Sequence, residues 1–139
     1  MERCVSIEIG GKIYPMRMSL AAHEWVNKTY GSIKGMTERF GDEKRCIGTY
    51  LDVAEVLIAQ GCAYKNMFEA DMPVSENAPI KDGKWIPISR EGIALGIDRC
   101  RMGELIKAIA DAAGLAIVNE ISGKASTKKN EKAELSEKI

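Results

Sequence analysis

The chain has 139 residues, 45% of them hydrophobic, and its 20 basic residues are balanced by 20 acidic ones. This length predicts one globular domain, which we place over 1–122. The high charge of residues 123–139, and their few large apolar side chains, predict a disordered tail after it. The lack of net charge argues against nucleic acid or an anionic membrane as partner, since both attract an excess of lysine and arginine. No apolar run approaches the roughly twenty residues that span a bilayer, and no secretory signal precedes the domain, so we expect a cytoplasmic protein.

A β-hairpin is predicted over residues 4–18. Apolar and polar residues alternate on both sides of Gly10-Gly11, which is the pattern of two antiparallel strands joined by a tight turn. Pro15 has no amide to donate, which places the second strand at an edge, open to another chain or to a bulge. The alternating apolar residues are Val5, Ile7 and Ile9 in the first strand and Tyr14, Met16 and Met18 in the second.

Two helical segments are predicted directly after the hairpin. The hydroxyl of Ser19 can accept a hydrogen bond from a free amide at the start of a helix over 20–30. Gly31 supplies the left-handed residue that commonly ends a helix. A turn or short helix follows over 32–40.

The clearest core helix of the chain starts at Ile47. Its apolar residues recur three to four positions apart, and we expect Gly61 to end it. A shorter helical piece is predicted over 63–69. Its spacing brings three large side chains near one another, namely Tyr64, Met67 and Phe68.

The last third of the domain is predicted to be a loop followed by two helices. Prolines punctuate residues 70–88, where only a brief extended piece is expected over 84–88. Ser89 starts a short helix, and Asp98 caps a last helix that reaches Ile121. The fold class is therefore mainly α, of the α+β kind, with an N-terminal β-hairpin followed by a small helical bundle. The apolar stripe of the last helix comprises Leu105, Ile106, Ile109, Ala110, Ala113 and Ile117.

The residue types of a catalytic or metal centre do not come together in this sequence. His23 is the only histidine, which removes every zinc site that needs two imidazoles. The four cysteines are scattered and are interpreted as reduced, mostly buried hydrophobic residues. Gly10-Gly11 lacks the lysine and hydroxyl residue of a phosphate-binding loop. We therefore expect no enzyme activity and no cofactor.

The order of these segments resembles the tail assembly chaperones of long-tailed bacteriophages and prophages. The hairpin is similar to that family's pattern hydrophobic-x-Gly-Lys-x-Tyr-x-Leu-x-Phe through Gly11, Lys12 and Tyr14. The helices after it follow the family's order as well, so the resemblance covers about residues 5–118.

The resemblance implies a non-catalytic protein of the bacterial host cytoplasm that coats the long, apolar, helical tape-measure protein until tail tube subunits polymerise around it. It implies the tape-measure protein as partner, the tail tube protein as a second candidate partner, and a homo-oligomer. Such reversible covering calls for accessible aliphatic and methionine patches. The candidate partner-binding residues are Tyr14, Met16 and Met18 on the hairpin, and Ile109 and Ile117 on the last helix.

Two other functions remain open. Residues 88–114 have the outline of a helix-turn-helix, which suggests a small DNA-binding regulator. Its second helix would present Glu104, Lys107 and Asp111, whereas a recognition helix needs donors for base edges and phosphates. The other alternative is a different small phage tail protein, such as a structural or adaptor subunit.

Overall fold

The computed structural model describes residues 4–115, which form two small hairpins and five α-helices. This arrangement confirms the predicted α+β class, with a hairpin first and helices after it. In chain order the elements are β1 (Val5–Ile9), β2 (Lys12–Met16), α1 (Leu20–Tyr30), α2 (Ile33–Phe40), α3 (Cys46–Phe68), β3 (Ile80–Lys81), β4 (Lys84–Trp85), α4 (Arg90–Gly96), a 3-10 turn (Arg99–Arg101) and α5 (Met102–Ala113).

The first hairpin turns at Gly10 and Gly11, as predicted. Both have positive φ, 59° and 85°, which is the conformation of a two-residue turn whose twist matches the strands. Ser6 lies opposite Pro15 in the register. The pair that flanks such a turn is hydrogen-bonded and the bonded pairs alternate, so Pro15 falls at a non-bonded position and removes no ladder bond.

The outer edge of β2 is covered, and the prediction that it is open to another chain at Pro15 is therefore wrong. The Ile13 amide donates to the Asn77 carbonyl at 2.9 Å, and the Arg17 amide donates to the Leu57 carbonyl at 3.0 Å. Pro15 is itself buried. An edge whose amides already bond to a loop and a helix offers no row of free groups to a further strand.

Helix α3 does not end at Gly61 as predicted, because this glycine serves a tertiary contact. A Cβ at Gly61 would lie only 2.3 Å from the carbonyl oxygen of Pro15. The missing side chain therefore lets the backbone of β2 lie directly against the helix. The helix continues to Phe68 and includes the piece predicted separately over 63–69.

Local caps start three of the predicted segments. The Ser19 hydroxyl accepts from the Ala22 amide at 3.0 Å, and the Ser89 hydroxyl accepts from the Gly92 amide at 3.1 Å. The Asp98 carboxylate accepts from the Cys100 amide at 3.0 Å, where it caps the 3-10 turn that leads into α5. Each cap satisfies one of the free amides at a helix start.

The predicted loop over 70–88 holds the second hairpin, β3–β4. Its turn contains Asp82 and Gly83, both with positive φ. Asn66 of α3 ties this hairpin to the helix: the Trp85 amide donates to Asn66 Oδ1 at 2.8 Å, and Asn66 Nδ2 donates to the Trp85 carbonyl at 3.1 Å. The side-chain amide of Asn66 thus makes the same pair of hydrogen bonds with Trp85 that the backbone of an adjacent strand would make.

Helix α5 ends at Gly114, which has the left-handed conformation with φ 71°. The following Leu115 packs against the core. The prediction that this helix continues to Ile121 is therefore wrong, because α5 stops at Ala113 and the left-handed Gly114 turns the chain out of the helix. The predicted tail over 123–139 lies outside the described residues.

The core lies where β1, β2 and α5 pack against α3. Helix α3 is also long and apolar enough to cross a membrane, and 44% of its most apolar window is buried within the fold. The core helix of a soluble protein has the same length and composition, so these properties alone do not distinguish the two. The largest buried side chains of α3 include Tyr50, Val53, Leu57 and Ile58.

Candidate functional site

Two of the five predicted partner-binding residues are core residues. Met16 and Ile109 are fully buried and belong to the central hydrophobic cluster. Met16 lies on the inner face of the hairpin and Ile109 lies on the apolar stripe of α5, and both side chains point into the core. Neither side chain can contact a partner in this structure, so both are removed from the candidate site.

The other three predicted residues have different positions. Tyr14 and Met18 are partly buried and pack against the edge of the core. Burial raises the pKa of the Tyr14 hydroxyl, and the neighbouring Cys62 thiol adds to this shift. Ile117 lies outside the described residues. A binding role for Tyr14 and Met18 therefore stays a prediction.

The large exposed apolar side chains include two at the C-terminal end of α3. Met67 is 75% exposed and Phe68 is 67% exposed, while Leu20, the first residue of α1, is 88% exposed. The predicted proximity of Tyr64 and Phe68 is confirmed, since their ring centres are 5.2 Å apart. The sequence pattern does not mark this group as exposed, because apolar residues at helical spacing are usually core. The other exposed members are Ile47, Met72, Val74, Ile86 and Leu95.

Met67 and Phe68 line a surface depression of about 310 Å³ that we call the α3 cleft. One side is the outward face of α3 and the other is the connection from β2 to α1. The complete lining is Arg17, Ser19, Gln60, Ala63, Tyr64, Met67 and Phe68.

Polar contacts fix the walls of the α3 cleft. The hydroxyl of Ser19, already the cap of α1, also donates to Oε1 of Gln60 on α3. The guanidinium of Arg17 lies 4.2 Å from the centre of the Tyr64 ring, which is within the range of a cation–π interaction. The cleft therefore combines an apolar surface with one positive charge.

A second depression, the α4–α5 pocket, lies beside the N-terminal half of α3. Its volume is about 160 Å³. Apolar cavities of roughly this size hold a single small ring, so the pocket matches one side chain rather than an extended segment. Its lining is Ile47, Tyr50, Leu51, Ala94, Ile97, Asp98, Arg99, Met102 and Leu105.

The titratable groups indicate structural rather than reactive roles. Within residues 4–115 no group of three or more histidine, cysteine or acidic residues is placed to hold a metal ion. His23 is exposed on α1. Burial, with a further effect of Cys4, raises the pKa of the Cys62 thiol to about 12. Cys62 therefore stays protonated at neutral pH, which disfavours a nucleophilic role.

No model of a known protein family matches this chain, and no curated protein or solved structure matches it. The described residues offer two apolar depressions as candidate binding surfaces, the α3 cleft and the smaller α4–α5 pocket.

Proposed function

We propose that this protein is a non-catalytic phage tail assembly chaperone, which binds the tape-measure protein and keeps it soluble until tail tube subunits polymerise. The observation that carries the proposal is the α3 cleft, where Met67 and Phe68 expose most of their apolar surface. The resemblance of the hairpin and of the helix order to the family supports the same function.

The chemistry of the cleft suits reversible covering of an apolar helix. A long helix with an unpaired apolar stripe aggregates unless another apolar surface shields it. Methionine is flexible and polarisable, so it adapts to different side chains along such a stripe. Association must also offset the translational and rotational freedom that both partners lose, so a contact through few apolar side chains leaves a modest net affinity, which allows the chaperone to be displaced when the tube forms.

Two ion pairs, one at the start of α5 and one on its exposed face, do not favour the DNA-binding alternative. Nζ of Lys107 contacts Oδ2 of Asp111 at 2.8 Å, and the Arg101 guanidinium contacts the Glu104 carboxylate at 2.8 Å. Each cation is therefore placed beside a carboxylate that would repel a phosphate.

Co-expression tests the proposed function. The full chain and the tape-measure polypeptide encoded beside it are produced together in a bacterial host, and the soluble fraction is compared with that of the polypeptide expressed alone. We expect soluble tape-measure polypeptide in a complex with several copies of this chain. Apolar contacts should keep the complex intact at high salt.

Three results would overturn the proposal. The first is an unchanged solubility of the tape-measure polypeptide, and the second is the lack of any neighbouring reading frame for a long helical polypeptide. The third is retention on DNA that weakens by orders of magnitude between roughly 50 and 200 mM salt, which would favour the regulator.

A further inference from the structure

We infer that the outer edge of β1 is a strand-binding site and that its occupant is the chain's own segment 116–121, which adds to β1 as a third, parallel strand. The segment reads Ala-Ile-Val-Asn-Glu-Ile and directly follows the described residues. The inference goes beyond the proposed function, because it concerns an edge of the fold and a segment of the same chain.

The outer edge of β1 has backbone groups without a hydrogen-bond partner among residues 4–115. The pair that flanks the Gly-Gly turn is bonded and bonded pairs alternate, so Ser6 and Glu8 direct their backbone groups away from β2. The Arg101 guanidinium donates to the Glu8 carbonyl at 2.8 Å. The Ser6 amide, the Ser6 carbonyl and the Glu8 amide have no such partner in this part of the chain, and both residues are exposed.

The two edges of the hairpin differ in this respect. The outer edge of β2 is closed by hydrogen bonds to a loop and to α3. A row of free amides and carbonyls, in contrast, is a template for one further strand. A strand can therefore join this sheet only beside β1.

Helix α5 carries the chain to the start of that edge. Immediately before the helix, Arg101 is bonded to the carbonyl of Glu8, near the end of β1. Near the end of the helix, Ala112 lines the same surface depression as Val5, the first residue of β1. The helix thus runs antiparallel to β1, and a chain that reverses after it runs parallel to β1.

Gly114 and Leu115 provide this reversal. Gly114 has the left-handed conformation, with φ 71°. The Leu115 amide donates back to the Ala110 carbonyl at 2.8 Å, and its side chain packs against the core. Two residues are enough to connect a helix to a strand that lies beside it.

The length of the segment matches the edge. The 12 residues of α5 rise by about 18 Å, and the five residues of β1 span about 17 Å. Six extended residues span about 20 Å. The segment 116–121 can therefore return along the whole of β1.

The sequence of this segment favours an extended conformation with one apolar face. Ile117, Val118 and Ile121 are β-branched, as strands prefer. Side chains alternate along a strand, so Ile117 and Ile121 fall on the same face as Leu115, toward the core. The direction of the backbone amides alternates together with the side chains. In a strand parallel to β1, the amides of Ile117, Asn119 and Ile121 therefore point toward β1.

Amide hydrogen exchange of the full chain, followed by NMR, tests the added strand. Asn119→Pro removes an amide that points toward β1, whereas Val118→Pro removes one that points to solvent, where an edge strand tolerates proline. We expect the Ser6 and Glu8 amides to be protected in the wild type. Asn119→Pro should speed their exchange by roughly tenfold or more, and Val118→Pro by less than about threefold.

The outcomes are distinct. Fast exchange of Ser6 and Glu8 in the wild type, or protection that both proline variants retain, would overturn the added strand. Equal loss in both variants would contradict the direction assigned to the amides. Protection that appears only at higher protein concentration, with a doubled mass in light scattering, would assign the edge to a second copy and overturn the inference. The amide of Ile7, which bonds to β2, should stay protected throughout and verifies that the hairpin is intact.

A pair of lysine substitutions tests the two faces independently. Ile117→Lys places a charge on the face that packs toward the core, whereas Val118→Lys places it on the solvent face. We expect Ile117→Lys to speed the exchange of Ser6 and Glu8 by roughly tenfold, and Val118→Lys by less than about twofold. The reverse order would contradict the assigned faces. All these measurements use the chain alone, so their failure leaves the proposed chaperone function standing.

Discussion

The two parts of α3 have similar apolar composition but opposite surroundings. Over 46–62 the helix packs against the first hairpin and α5, and most of its large apolar side chains are buried or partly buried, with Ile47 at the start of the helix as the exception. Over 63–68 no element within residues 4–115 covers the outward face, where Met67 and Phe68 are 75% and 67% exposed. The helical spacing is the same in both parts, so burial is decided by what lies opposite. Apolar residues of a helix become core only where another element reaches them.

The largest change in stability is expected from a cavity in the buried part of α3, over 46–62. Leu57 is fully buried in the core cluster. We expect Leu57→Ala to lower the free energy of unfolding by about 2–5 kcal/mol, because the lost contacts leave a void that neighbours only partly fill. Chemical denaturation measures this change. A loss well under 1 kcal/mol would mean that the two parts of the helix are not different in packing.

Gly61→Ala tests the close approach of helix and strand. The new Cβ would lie 2.3 Å from the Pro15 carbonyl oxygen, and a backbone atom cannot move aside as a flexible side chain does. We expect a loss of about 1–3 kcal/mol in denaturation experiments. The matched control is Gly103→Ala in α5, where a Cβ meets nothing within 4 Å. That change should raise stability by up to about 1 kcal/mol, and equal losses at both positions would contradict the contact.

The buried thiol of Cys62, in the same part of α3, makes the free energy of unfolding depend on pH under alkaline conditions. Its pKa is raised from 9.0 to about 12 in the folded chain, so above pH 9 the unfolded chain releases this proton first. The free energy of unfolding is therefore unaffected by this thiol below about pH 9 and falls as the pH rises from 9 to 12. By pH 10 the loss is about 1 kcal/mol.

Denaturation of the Cys62→Ala variant at pH 8 and pH 10 measures this contribution. The variant should lose less stability over that interval than the wild type. Cys100→Ala, at an exposed cysteine, should behave as the wild type does. An identical pH dependence for the wild type and Cys62→Ala would show that this thiol does not ionise differently on unfolding.

A smaller effect is expected at the ion pair that joins α4 to α3. Arg90 Nε contacts Asp52 Oδ1 at 2.6 Å, but the two side chains are 42% and 46% exposed. Solvent and salt screen such pairs, so a double-mutant cycle with Arg90→Gln and Asp52→Asn should give a coupling below about 1 kcal/mol. A coupling of several kcal/mol would mean that this ion pair stabilises the fold as much as a buried apolar side chain does.

The smallest effect is expected at the exposed end of α3. Met67→Ser removes little packing from the isolated protein, so the free energy of unfolding should change by no more than about 0.5 kcal/mol. Thermal and chemical denaturation check this value. A loss above 1 kcal/mol would show that Met67 is part of the core, and the α3 cleft would lose its apolar wall.

Local signals in the sequence predicted much of the fold. The turn at Gly10-Gly11 and the caps at Ser19 and Ser89 depend on atoms within three residues of each other, so their chemistry is readable without tertiary information. The candidate site was harder to predict. Met16 and Met67 both stand in apolar patterns, yet one is fully buried and the other is mostly exposed.

The sequence by itself determined the kinds of element and most of their starts, because capping and turn conformations are settled by neighbours along the chain. Only the tertiary structure decided that α3 passes through Gly61 and that the edge of β2 is closed. Those outcomes depend on groups more than forty residues apart, Gly61 with Pro15 and Ile13 with Asn77. Which apolar residues face a partner is decided in the same way, by whether a distant segment covers them.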